Sequence, residues 1–243
     1  MHPEICQIGP FTIYSYGLML ALAFSVAAYL AGRQAKRQNI NPDSIFNLAF
    51  IILVSGIIGA RIFYILENLT YYLKHPWEML MLQHGGLSWF GGLGLALICG
   101  IIYLRKRELA VYKTLDLLAP FVALAQGIGR IGCLLNGCCY GKVSKFGLYF
   151  AVHQAVLIPT QLYSSLALVA VFISLRFLQD RPHQDGQIFF LYLFLYSLQR
   201  FCIEFWRADN PVIFLGLTLF QLISAAVFLS SLFKLISLKE SQK

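Results

Sequence analysis

The sequence predicts an all-α integral membrane protein with seven transmembrane helices. Three observations lead there. Of 243 residues, 58% are hydrophobic and only 12% are charged, against about 45–50% and about 25% in a soluble domain. The mean hydropathy is +0.69, and a chain of this length needs no apolar excess to fill a core. The apolar residues also gather into runs near the ~20 residues a helix needs to cross the hydrocarbon. A disordered chain is excluded, and a soluble globule nearly so. Nucleic acid is not expected as a partner. The formal charge of +8 lies in the gaps between apolar runs, where it sets topology.

The spans are expected at 12–32, 46–66, 88–104, 114–134, 160–178, 187–206 and 213–235. The first ends in Arg33, Lys36 and Arg37, and the third in Arg105, Lys106 and Arg107, with Lys113 before the fourth. The fifth ends in Arg176 and Arg181, and the last in Lys234, Lys239 and Lys243. Basic residues collect on the cytoplasmic side, so the N-terminus is expected outside and the C-terminus in the cytoplasm. The start, MHPEICQIGPF, lacks a basic region followed by an apolar stretch, so no cleavable signal peptide is expected. With no repeat, low-complexity tract or long linker, 1–243 is expected to form one domain.

Arg61, Arg130 and Arg200 sit inside or beside spans two, four and six. A charge at mid-membrane costs ~2.5–3.5 kcal/mol on insertion scales, less near a helix end where it can snorkel. Each could be a snorkelling residue in a structural ion pair. Under the topology above all three lie toward the outer leaflet, where together they would suit a phosphate, since arginine presents a planar fork of donors. Glu204 lies one helical turn after Arg200 and can pair with it, either as a simple intrahelical bridge or with a chemical role. Arg207 reads as an ordinary residue at the water boundary.

Two glycine-rich stretches adjoin these arginines. In HGGLSWFGGLG (84–94), Gly91, Gly92 and Gly94 suit close helix packing. Gly85 and Gly86, next to His84, suit a sharp turn or a close backbone approach. In GIGRIGCLLNGCCYGK (127–142), Gly129 and Gly132 flank Arg130 and leave room for a headgroup. Asn136–Gly137 and Tyr140–Gly141 then break the helix. The spacing is not that of a phosphate P-loop.

IGPFTIYSYGLM (8–19), GARIFYIL (59–66), GGLSWFGGL (85–93), GRIGCLLNGCCYGK (129–142), PTQLY (159–163), RFCIEFWRAD (200–209) and LTLFQLIS (217–224) together resemble the prolipoprotein diacylglyceryl transferase family. The resemblance implies a seven-helix, multi-pass protein of the bacterial inner membrane whose active site opens to the outer face. It implies transfer of the diacylglyceryl group of phosphatidylglycerol to the lipobox cysteine thiol of a prolipoprotein, forming a thioether and releasing glycerol phosphate. The implied partners are phosphatidylglycerol, the lipobox segment and membrane lipids. The resemblance gives Arg130 the phospholipid contact, makes Arg200 a required residue with Glu204 as its partner, and brings in Tyr16. Asn136, Tyr140 and Gly141 belong to the same shared element. Three positions depart from the family's pattern. Phe90 stands where the family usually has a histidine, Cys133 where it has asparagine and Cys138 where it has glutamate. These changes suggest a divergent branch.

The residues themselves support such chemistry. A free thiol ionises near pKa ~8.5. Cationic surroundings favour the thiolate and also stabilise charge growing on a departing phosphate. Arg130 and Arg200 are expected to do both, with Arg61 as a structural aid. His84 is the one histidine nominated as a base, although an interfacial histidine without a role remains open. His2, His75, His153 and His183 are assigned nothing. Cys6, Cys99 and Cys202 read as apolar residues. Cys133, Cys138 and Cys139 could form a disulfide or a reactive thiol, and the unusual spacing argues against zinc. No cofactor and no metal are expected. The alternatives are a related lipid-group transferase with another acceptor, a membrane thiol oxidoreductase, and a transporter or seven-helix receptor.

Overall fold

The computed structural model describes residues 4–8, 11–81 and 85–240. Apolar side chains face outward on the long helices, for example Leu22, Phe50, Ile101, Ile173 and Phe233. Polar ones such as Ser55, Asp116, Gln161, Glu204 and Ser231 are buried. That inversion of the soluble pattern suits a hydrocarbon solvent, which cannot satisfy a polar group. Among the described residues there are eight α-helices, and six of them are long and apolar enough to cross a membrane. They are α1 (Ser15–Arg37), α2 (Pro42–Glu67), α4 (Trp89–Lys106), α5 (Val111–Asn136), α6 (Thr160–Gln179) and α8 (Leu219–Glu240). The expected sixth span forms α7 (Gln187–Glu204). It falls outside that group because its last two turns carry Gln199, Arg200 and Glu204.

The helices agree with the expected all-α membrane class, and among the described residues three short two-stranded antiparallel hairpins accompany them: β1 (Glu4–Ile8) with β2 (Phe11–Tyr14), β3 (Val143–Phe150) with β4 (Ala155–Leu157), and β5 (Val212–Phe214) with β6 (Leu217–Thr218). One boundary needs correction. The last helix starts at Leu219 rather than near 213, because Leu215 and Gly216, at φ +49° and +78°, turn the chain into a hairpin first. The apolar run VIFLGLTLF hides that turn.

Two compact units form, Gly32–Val111 and Met1–Ala31 with Tyr112–Lys243. In the first, α2 packs on α4 through glycines. A Cβ on Gly59 would stand 2.5 Å from the Gly91 carbonyl oxygen, so these backbones meet as small-residue seams do in membranes. The short α3 (Leu69–Tyr72) and a 3-10 turn (Pro76–Leu80) follow α2. In the second unit, α7 packs on α8 and α6, with a core of Ala119, Ala123, Val171, Leu175, Ile188 and Tyr192. Buried Asp116 accepts hydrogen bonds from Gly186 N (2.6 Å) and Phe189 N (2.7 Å), so a carboxylate from α5 caps α7.

Candidate active site

The turn after α5 organises the site. Gly137, at φ +80°, ends the helix, and the amides of Gly137 and Cys138 both donate to the Cys133 carbonyl, at 3.0 and 3.1 Å. This is the left-handed stop for which glycine is suited. Four consecutive carbonyls are then fastened by different groups. His153 Nε2 donates to Gly137 O at 2.9 Å, Gln161 Nε2 to Cys138 O at 2.6 Å and Thr160 Oγ1 to Cys139 O at 2.7 Å. The Ala208 amide donates to Tyr140 O at 3.3 Å. Gly141 bridges to Arg207, and a Cβ there would meet Ile158 Cβ at 2.7 Å and Trp206 O at 2.8 Å. Only glycine fits.

Inside this turn the sulfurs of Cys133, Cys138 and Cys139 lie within 4.8 Å of one another. The neighbouring Cys133 and Cys138 thiols, followed by the charges of Arg207 and Arg130, outweigh burial and hold the Cys139 thiol below its ordinary range. Tyr16, on α1, lies within electrostatic reach of the three cysteines and of Arg130. Its ring edge touches Gly132, where a Cβ would sit 3.4 Å from Tyr16 Cδ2 and 2.9 Å from Met19 Cβ. Gly132 therefore seats α1 against α5. Gly129 has open space on its Cβ side.

The arginines have separate fates. Arg200 is buried, its Nη1 2.7 Å from Glu204 Oε2 and its guanidinium 4.9 Å from the centre of the Phe220 ring. Glu204 is buried as well. Its Oε1 accepts from Asn210 Nδ2 (2.6 Å) and Thr218 Oγ1 (2.9 Å), and its Oε2 also faces Arg207 Nε at 3.8 Å. Arg207 grips Asp209 through Nε (2.8 Å) and Nη2 (2.5 Å). Burial works against the Arg207 charge, but the Asp209 hydrogen bonds outweigh it and hold this guanidinium above the ordinary arginine range. Arg130 and Arg207 both act on Arg200 electrostatically. Half-buried Arg130 donates no hydrogen bond to another described residue.

Arg61, expected among the phosphate-binding arginines, is committed to backbone. Nε donates to Met79 O (3.0 Å), Nη1 to Gly85 O (2.7 Å) and Gly86 O (3.0 Å), and Nη2 to Glu78 O (2.5 Å) and Met81 O (3.1 Å). All five of its N–H groups are engaged, leaving none for a phosphate. Gly85 and Gly86, at φ +78° and +79°, turn their carbonyls toward it. His84 lies outside the described residues.

Three guanidiniums, those of Arg130, Arg200 and Arg207, thus lie within electrostatic reach of one another's neighbourhood. Arg207, read from the sequence as an ordinary boundary residue, was missed, and its place three residues after Glu204 was the available signal. Thr160, Gln161 and His153 were missed, and only polar residues at the apolar start of α6 hinted at the first two. Gln161 Oε1 is buried without a partner among the described residues.

The sequence model of the family described as Prolipoprotein diacylglyceryl transferase matches residues 3–237. The chain belongs to the prolipoprotein diacylglyceryl transferase family. Proteins named phosphatidylglycerol–prolipoprotein diacylglyceryl transferase are similar along most of its length. The Clostridium tetani protein is 35% identical over 216 residues, 86% of each chain. That of Ligilactobacillus salivarius is 34% identical over 247 residues, 96% of this chain and 91% of the relative. That of Pediococcus pentosaceus is 31% identical over 257 residues, covering 100% and 92%.

Proposed function

We propose that this chain transfers the diacylglyceryl group of phosphatidylglycerol to the lipobox cysteine of a prolipoprotein, forming a thioether and releasing glycerol phosphate. Family membership supports the reaction. The observation that carries the reading is the contrast among the arginines. Arg200 and Arg207 are fixed by one buried carboxylate, while the neighbouring Arg130 keeps its donors for a ligand. In this reading Arg130 grips the headgroup phosphate, and Arg200, oriented by Glu204, stabilises the charge that grows when the C3–O bond breaks. Gly129 leaves space beside Arg130 for the headgroup. Tyr16, Asn136, Tyr140, Gly132 and Gly141 shape the wall. Gly85 and Gly86 belong to a loop that Arg61 organises.

The same reading makes 1–243 one transferase domain in a bacterial inner membrane, with α7 as the seventh span, the N-terminus outside and the C-terminus cytoplasmic. The basic last turns of α1 (Lys36, Arg37), α4 (Arg105, Lys106), α6 (Arg176) and α8 (Lys239) support that orientation. A C-terminal reporter active only in the cytoplasm tests it. The reaction is tested by complementing a strain depleted of its own transferase and scoring diacylglyceryl-modified lipoprotein. Modification by the unaltered chain and none by Arg130→Ala is expected. Unmodified prolipoprotein with the unaltered chain properly inserted overturns the reading.

A further inference from the structure

A thioether-forming displacement needs a thiolate, and two acid–base groups near the sulfur cluster already hold partners among the described residues. Glu204 is tied to Arg200, Asn210 and Thr218, and His153 Nε2 to the Gly137 carbonyl. The cluster itself supplies an alternative. Successive side chains in an extended segment point apart. Cys139 instead has φ +62°, a conformation uncommon for a residue with a Cβ, and that turn brings its sulfur to the same side as those of Cys138 and Cys133. The strained turn is held by buried Thr160 and Gln161 on the carbonyls of Cys139 and Cys138. A disulfide needs two sulfurs, whereas this turn gathers three, all within 4.8 Å. Tetrahedral zinc with Zn–S of about 2.3 Å places its sulfurs about 3.8 Å apart, about an ångström inside the 4.8 Å that bounds the three here.

We propose that Cys133, Cys138 and Cys139 hold a zinc ion with an open fourth position, and that this position takes the acceptor cysteine thiol. The inference rests on the diacylglyceryl-transfer reading. Three protein ligands and one exchangeable position are the pattern of catalytic zinc, and a coordinated thiol is deprotonated outright. The acceptor thiol enters, its proton passes to water, and its sulfur lone pair attacks glycerol C3. The S–C bond forms as the C3–O bond breaks, and the bonding pair leaves on glycerol phosphate beside Arg130. No electron is gained or lost. Three thiolates on a divalent ion carry one negative charge, and Arg130 and Arg207, both within electrostatic reach of Cys139, offset it.

The test uses the full chain in detergent, purified under reducing, anaerobic conditions. About one zinc per chain is expected, lost in Cys139→Ser and kept in Cys99→Ser, whose cysteine is not one of the three in the cluster. Because Cys139→Ser could fail to fold, the unaltered protein is also reconstituted with Co(II) and its sulfur-to-cobalt absorption recorded. A lipobox peptide should raise that absorption by about one third as a fourth sulfur binds, and a peptide with Ser for Cys should leave it unchanged. Active protein with less than about a tenth of a zinc per chain overturns the metal site and leaves the transfer reading standing. So does an isolated disulfide between two of the three cysteines in active protein. Bound zinc with a peptide-indifferent cobalt spectrum overturns thiol activation. A peptide-responsive spectrum without any lipid transfer upholds the thiol site and overturns the transfer reading.

Discussion

Replacing Glu204 by glutamine probes the centre of the arginine cluster with minimal change of shape. The amide oxygen can still accept from Asn210 and Thr218, which now bond to Glu204 Oε1 at 2.6 and 2.9 Å. What disappears is the charge that faces Arg200 at 2.7 Å and Arg207 at 3.8 Å. Two guanidiniums that act on each other electrostatically then lack their shared carboxylate. Breaking one partner of a buried ion pair costs about 3–5 kcal/mol. For a chain of this size that corresponds to a fall of roughly 6–20 °C in melting temperature. Arg200 also loses its fixed direction, and a misplacement of about 1 Å can cost about 100-fold in rate. Tryptophan fluorescence during heating in detergent reads the first effect, and transfer from phosphatidylglycerol to a lipobox peptide reads the second. Arg200→Gln and the Arg200→Gln/Glu204→Gln double variant complete a cycle. The double variant should recover most of the stability but none of the activity. The reasoning fails if Glu204→Gln melts with the parent and works within a factor of about two, or if the two single losses simply add.

Arg61→Ala should unfold the segment between α2 and α4, because five carbonyl oxygens lose their donor. A stability loss of at least about 3 kcal/mol is expected from orphaned acceptors, read as faster proteolysis within 68–88, with an unchanged KM for lipid in the molecules that stay folded. Arg130→Lys should keep its melting temperature within about 2 °C, since Arg130 bonds to no described residue, yet lose about 100-fold in kcat/KM because a lysine lacks the planar fork. Gly141→Ala should cost about 1–3 kcal/mol by overpacking against Ile158 and the Trp206 carbonyl, measured by thermal unfolding.

The membrane class and the long helices were legible because ~20-residue apolar runs are dictated by bilayer thickness. The ends were less so. The run from 212 onward is apolar throughout, and only the positive φ at Leu215 and Gly216 reveals that its first part is a hairpin. Arg130, Arg200 and Glu204 could be nominated because a charge inside an apolar run needs a reason. Arg61 passed the same filter and has a different reason: its donors hold the backbone carbonyls of Glu78, Met79, Met81, Gly85 and Gly86, a fact that depends on a loop conformation no periodicity encodes. Arg207 was set aside as a boundary residue, although its side chain is only 8% exposed. The cysteine spacing argued against zinc, and linear spacing cannot show that Cys139, at φ +62°, turns back beside Cys133 and Cys138.

The non-helical segment 137–142 explains why sulfur and guanidinium chemistry share one neighbourhood. Irregular backbone survives in a membrane protein only where its polar groups are satisfied by the protein itself or by a water-filled cavity. Here the partners come from two directions. Thr160 and Gln161 hold the side carrying the sulfurs. The chain after α7 holds the other side, through Lys142 N to Trp206 O at 2.9 Å, Ala208 N to Tyr140 O at 3.3 Å, and the Gly141–Arg207 bridge. The cysteine turn is thus stitched to the backbone that carries Arg207 and follows Glu204. On the proposed reading, a displacement at carbon needs the acceptor sulfur and the guanidinium cluster around the leaving phosphate held at a fixed separation, to within about an ångström. Separate loops would let that separation drift. Hydrogen bonds between 140–142 and 206–208 tie it to backbone geometry, and the requirement to satisfy buried carbonyls is met by the same contacts.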